Sequence, residues 1–130
     1  MSASALEDIA AHARAAFPLE CCGLLVGSAG HILEAVGSPN VADDPARRFL
    51  VDPRTHIDAL RHARIRGLSI AGFYHSHPQS EPEPSASDLE GAAYPDHLYL
   101  IVRPLPSGCQ ARLWRLEGSG FEEIPLEILG

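Results

Sequence analysis

The chain has 130 residues, 45% of them hydrophobic and 21% charged, with a formal net charge of −7. A domain of this size buries about two-thirds of the surface its unfolded chain exposes, so it needs neither a disulfide nor a metal merely to fold. The acidic balance argues against a phosphate backbone as partner, since such binding rests on Lys and Arg neutralising phosphates, and no apolar run approaches the roughly 20 residues that span a bilayer.

The chain is therefore expected to be one domain, residues 1–130, binding neither nucleic acid nor membrane. Its N-terminus carries acids where a signal peptide would be basic. Three cysteines, an odd number, include the adjacent pair Cys21 and Cys22, which are poorly placed to bridge each other. A reducing, cytoplasmic location follows.

Ser4 and Glu7 form a candidate capping box, and Leu6, Ile9, Ala10, Ala13 and Phe17 recur at helical spacing until Pro18. A first helix is expected over Ala5–Ala16. "CGLLVG" and "HILEAVG", separated by Ser28-Ala29-Gly30, read as a hairpin. After the polar connection "NVADDPARR", "RFLV" is expected to be a short strand. Asp52-Pro53 is a strong helix start, and the stretch carrying Ile57, Leu60 and Ile65 runs to Arg66 before Gly67. "LSIAGFYH", "HLYLIV" and "ARLWRLE" have the apolar character of buried strands, with a short third helix over Ser85–Ala93. The order implies an α/β layered domain with a mixed sheet.

The stretch "YHSHPQSEPEPSASD" carries the candidate chemistry. In a strand, His75 and His77 point to the same face about 7 Å apart at the backbone. Pro78 ends the strand, and the chain has room to return Asp88 over its end. Two histidines and one carboxylate make the three-ligand set of a catalytic zinc site with one open position. Ser85 and Asp88 equally fit a helix capping box, and two histidines near a strand end can be ordinary polar residues. If Asp88 binds metal, the full reciprocal box is expected to be absent.

The run His75-Ser76-His77-Pro78, with Ser85 and Asp88 at matching spacing, resembles the signature of the JAMM metalloproteases, the catalytically competent MPN-domain family. "FPLECCGLLVG" resembles the Pro-x-Glu-x-Cys-Gly-x-Leu pattern of its small bacterial members. Pro39-Asn40, "RFLVDP", "GLSIAGFYHSHP" and "YPDHLYLIV" extend the likeness over essentially the whole chain. The resemblance implies a single-domain, cytidine-deaminase-like α/β fold with a curved mixed sheet flanked by helices. It implies one zinc ion held by His75, His77 and Asp88, Glu20 as general base, and Ser85 as oxyanion donor.

The implied activity is a peptidase or isopeptidase cutting the amide bond after the C-terminal Gly-Gly of a ubiquitin-like sulfur-carrier protein. It would release cysteine or trim extra residues. The tail would lie extended beside a strand near the zinc. A homodimer is compatible with the sequence. A non-catalytic MPN scaffold is the alternative, although such domains characteristically lose ligands that are all present here. A base deaminase would need H-x-E or C-x-E with P-C-x-x-C, which this chain lacks. Cys21 and Cys22 read as small buried hydrophobes. His12, His31, His56, His62 and His97 read as ordinary, and the "EPEP" of Glu81–Pro84 as an exposed, extended connector.

Overall fold

Residue parity along the strands sorts this chain into two cores on opposite faces of one sheet. The computed structural model describes residues Met1–Gly130. Its elements are α1 (Ala3–Ala16), β1 (Cys22–Ser28), β2 (His31–Ser38), α2 (Pro53–Ile65), β3 (Ser69–Ser76), α3 (Ala86–Gly91), β4 (Leu98–Pro104), β5 (Cys109–Glu117) and β6 (Gly120–Ile124). The six strands run in the order β2-β1-β3-β4-β5-β6. Only β3 and β4 pair in parallel, which makes the sheet mixed.

On one face Leu25, Tyr74, Leu100, Val102 and Leu113 meet Ala5, Ile9 and Ala13 of α1. On the other, Leu24, Phe73, Tyr99 and Leu116 meet Ala59 of α2. Each strand supplies neighbouring residues to opposite cores, as period-two alternation requires. His75 shares parity with Phe73, so the β3 histidine faces the α2 side. Gly23 lets Tyr74 cross β1 on the α1 side, because a Cβ there would collide with the Tyr74 ring and the Val36 carbonyl.

Helix α1 starts earlier than the Ser4–Glu7 pattern predicts. Its cap is Ser2, whose Oγ accepts a hydrogen bond from Ala5 N at 3.2 Å. The same hydroxyl donates to the Leu33 carbonyl at 2.9 Å, and Ser2 N donates to Ile32 O at 2.8 Å. Docking on β2 therefore selects the cap, a contact that local sequence does not contain.

Two further expectations need correction. "RFLV" forms no strand: a single bridge, Asn40 to Val51, is all the ladder it makes. Asn40 explains this, since its side chain takes the hydrogen bonds of Leu50 N and Arg48 O that a partner strand would use. "EPEP" is not a free connector either, for Pro82 is fully buried. The helix Pro53–Ile65, capped by Asp52 as expected, buries only Ala59 and Ala63. Ile57, Leu60 and Ile65 are 51%, 38% and 83% exposed and stand outward among Arg54, Arg61 and Arg64. Two alanines let the helix lie close to the sheet, and its aliphatic residues face away.

Candidate metal centre

The site forms where β3 runs out and α3 begins. β3 delivers His75, Pro78 stops the strand just beyond His77, and Ser85 restarts the chain as the cap of α3. Asp88, in the first turn of that helix, meets both imidazoles: Oδ1 lies 3.1 Å from His75 Nε2 and Oδ2 lies 2.9 Å from His77 Nε2. The two Nε2 atoms are 3.2 Å apart. All three side chains are buried.

These separations bear on whether the set suits a metal. Ligands at about 2.05 Å around a tetrahedral zinc stand about 3.3 Å from one another, close to the separations above. Two imidazole nitrogens and a carboxylate converging on one point need positive charge between them, which shared protons or a metal ion at that point can supply. The ring of His77 is oriented from behind, with Nδ1–H donating to the Glu81 carbonyl at 2.9 Å, which leaves the Nε2 lone pair facing inward. The ring of His75 is held by Phe49, stacked at 4.1 Å between centroids and 15° between planes. The donor set fits one zinc ion.

Electrostatics treat the two imidazoles differently. Burial lowers the pKa of His75, favouring the neutral imidazole that a metal needs. Burial also acts against a charged His77, but its hydrogen bonds to Asp88 and Glu81 outweigh that and raise its pKa. Burial opposes ionisation of Asp88, yet hydrogen bonds from both histidines and from the Ser85 backbone hold its carboxyl well below the usual range.

Glu20 reaches the same face through the sheet. β1 and β3 pair antiparallel with Cys22 opposite His75, and the pairing continues as Ser76 N donates to Cys21 O at 3.1 Å. Ser76 Oγ also accepts from Cys21 N at 2.8 Å. The next step sets Glu20 opposite His77 with matching parity. Glu20 is 6% exposed, and its Oε1 has no protein hydrogen-bond partner. Burial pushes its carboxyl up to about 7, with His77 pulling down and Asp88 pushing further up. A carboxyl poised there suits proton transfer near neutral pH.

Ser85 overturns one sequence expectation. The reciprocal capping box is complete: Asp88 N donates to Ser85 Oγ at 3.0 Å, and Ser85 N donates to Asp88 Oδ2 at 2.9 Å. Box and ligand are compatible because a carboxylate offers about four lone-pair sites over two oxygens. The Ser85 hydroxyl, used here as an acceptor, keeps its own proton free to donate. Cys21 and Cys22 are buried, and burial pushes their thiols up to about 11 and about 12, which disfavours a thiolate nucleophile.

Sequence reasoning missed the residues that shape the approach. A cleft of about 480 Å³ beside Asp88 is walled by Phe49, Val51, His56, Phe73, Tyr94 and Tyr99. His56, read as ordinary, packs edge-on against Phe73 and Tyr94. The one available signal was Phe49, a large aromatic beside an otherwise polar connection. His12 is likewise engaged, its Nδ1 2.7 Å from the Tyr74 hydroxyl on the opposite face.

Comparison with known proteins gives a consistent result. Residues 2–117 match the family described as prokaryotic homologs of the JAB domain. A desampylase of Haloferax volcanii is 37% identical over 134 residues, spanning 98% of this chain and 94% of that protein. A probable TtuB-protein conjugate cleaving protease of Thermus thermophilus is 34% identical over 89 residues, 68% of this chain and 60% of that one. A solved structure described as a JAMM metalloprotease-like zinc site in the proteasome and signalosome superposes with a TM-score of 0.63 at 24% identity, covering 99% of this chain and 95% of that one. This last likeness concerns the fold.

Proposed function

The chain belongs to the family of prokaryotic homologues of the JAB domain, and from that premise we propose that it is a zinc-dependent peptidase and isopeptidase acting on conjugates of a ubiquitin-like sulfur-carrier protein. The bond cut is the amide after the carrier's terminal Gly-Gly. The single observation that carries this reading is the convergence of His75, His77 and Asp88 with Glu20 on one face of the sheet.

His75, His77 and Asp88 would hold a zinc ion, which would supply polarisation of the scissile carbonyl and a lowered pKa for a water. Glu20 takes the proton of the attacking water and returns it to the leaving amine. The Ser85 hydroxyl donates to the oxygen that gains charge. Position supports both roles: Glu20 faces His77 and Asp88 from the segment that leads into β1, and Ser85 caps the helix that carries Asp88.

The expected tail-binding strand is not a main-sheet neighbour of β3, because β1 and β4 occupy both its edges. The free backbone lies in the Asn40-bridged segment instead. Arg48 and Leu50 turn their hydrogen bonds toward Asn40 and Val41, whereas Phe49 N–H and C=O make none. An extended tail pairing there would pass beside His75, under Phe49, and terminal glycines suit so close an approach. A carrier whose terminal glycines are changed to leucine should be cut far more slowly; equal rates would remove this mode.

Helices on both faces of the mixed sheet support the narrower description of a cytidine-deaminase-like fold, with residues 1–130 as one such domain. Three free cysteines support a cytoplasmic location, and no helix is long and apolar enough to cross a membrane. The direct test compares native protein with Glu20→Ala for bound zinc and for cleavage of a carrier–cysteine or carrier–lysine adduct. Zinc should be retained and cleavage lost by about 10²–10⁴-fold. Full cleavage in the variant would remove Glu20 as the base.

A further inference from the structure

The loop between the second and third ligands is gripped from outside, one residue at a time. Glu81 Oε1 accepts from Arg103 Nη1 at 2.9 Å, the Pro82 carbonyl accepts from Trp114 Nε1 at 3.1 Å, and Glu83 Oε1 accepts from Arg112 Nη1 at 2.6 Å. Arg112 also holds Glu123 of β6 through two bonds of 2.8 and 2.7 Å, and its guanidinium sits 4.9 Å over the Trp114 ring. Strand parity arranges this. Arg103 follows Tyr99 on β4, and Arg112 and Trp114 precede Leu116 on β5, all on the face that carries the ligands.

The inner side of the same loop meets the metal site. Glu81 contributes its carbonyl to His77 Nδ1–H, the bond that selects the tautomer with Nε2 facing inward. Pro82, fully buried, fixes the backbone immediately after that carbonyl. The geometry points to Arg103, Arg112 and Trp114 as positioning residues for zinc: they clamp residues 81–83 so that the Glu81 carbonyl stays in place to orient His77. Together they form an outer support two steps removed from the ion, reaching across β4 and β5 to β6.

Trp114 and Arg112 carry most of the effect. A lone exposed ion pair such as Arg103–Glu81 contributes little, whereas the indole and the shared guanidinium act on a loop with one buried residue. Partners that orient ligating histidines typically change metal affinity about 10–100-fold when removed.

The inference rests on His75, His77 and Asp88 being the ligands, and the experiment separates the two claims. Zinc dissociation constants are measured by chelator competition on the full chain for the native protein, Trp114→Phe, Arg112→Met and Arg66→Met. The last removes a bidentate pair with Glu34, at 2.7 and 2.6 Å, that lies away from the loop. Trp114→Phe and Arg112→Met should each weaken zinc about tenfold, and Arg66→Met should stay within twofold. In parallel, the His77 Nδ1–H resonance of the zinc-loaded protein should exchange faster with solvent in Trp114→Phe, which a change in overall stability alone would not single out. If Trp114→Phe fails to fold, Arg112→Met still decides, since that side chain is 34% exposed. Affinities within twofold of native, with His77 N–H as protected as before, would overturn the clamp; a native chain that binds no zinc would overturn the ligand assignment itself.

Discussion

The two faces of the sheet are built from the same strands yet differ in how they close. On the α1 face, eleven buried residues make a continuous core around Ile9, Leu25 and Leu100, and the polar side chains there, His12 with Tyr74 and Ser76 with Cys21 N, are internally hydrogen-bonded. On the α2 face only five buried residues cluster, the covering helix buries two alanines, and the remaining area is a cleft walled by aromatics beside the ligands. One face is sealed and supplies stability; the other is left open beside the candidate metal centre. Function is placed where packing stops short.

The contrast can be broken most severely at Asp88. Asp88→Ala removes one ligand and the partner of two imidazoles, so bound zinc and cleavage should both disappear, with activity down at least about 10³-fold; metal content and adduct cleavage measure this. Ile9→Ala, on the sealed face, should do the reverse. It should cost about 2–5 kcal/mol in urea unfolding while zinc affinity and turnover of the folded protein stay native.

A smaller effect belongs to His12. Burial holds its pKa below the ordinary imidazole value of 6.5, so its contribution to stability is present above that pH and is lost as pH falls toward the folded value. His12→Gln should flatten the decline in stability below about pH 6.5 and cost about 1 kcal/mol at neutral pH from the Tyr74 hydroxyl left without its partner. An unchanged acid-side slope would show that other groups govern it. The smallest effect is expected at Ile65, 83% exposed on α2: Ile65→Ser should move stability by no more than about 0.5 kcal/mol, whereas a larger loss would mean that the α2 face is covered in solution.

Legibility in the sequence followed the range of the interaction. The spacing of His75 and His77 along a strand, the Ser85-x-x-Asp88 helix start and the Asp52-Pro53 cap are short-range patterns, and each appears where the sequence places it. Where two local meanings overlapped, at Asp88, the structure holds the capping box and the convergence on both imidazoles together, because one carboxylate has lone pairs enough for a backbone amide and for the candidate metal site. The errors fall where a partner distant in sequence decides. Ser2 displaced Ser4 as a cap because β2 was waiting for it, and Asn40 took the bonds that would have made Phe49 and its neighbours a strand.

What the sequence determined alone was a candidate ligand set and the elements that present it, since side-chain direction in a strand or a helical first turn is a property of a few consecutive residues. Tertiary structure decided the rest. Glu20 joins His77 only because β1 pairs with β3 in one register, and a one-residue slip would turn its carboxyl to the sealed face. The cleft, the stacked Phe49 and the grip of Trp114 on Pro82 likewise exist only between segments that the chain brings together on folding.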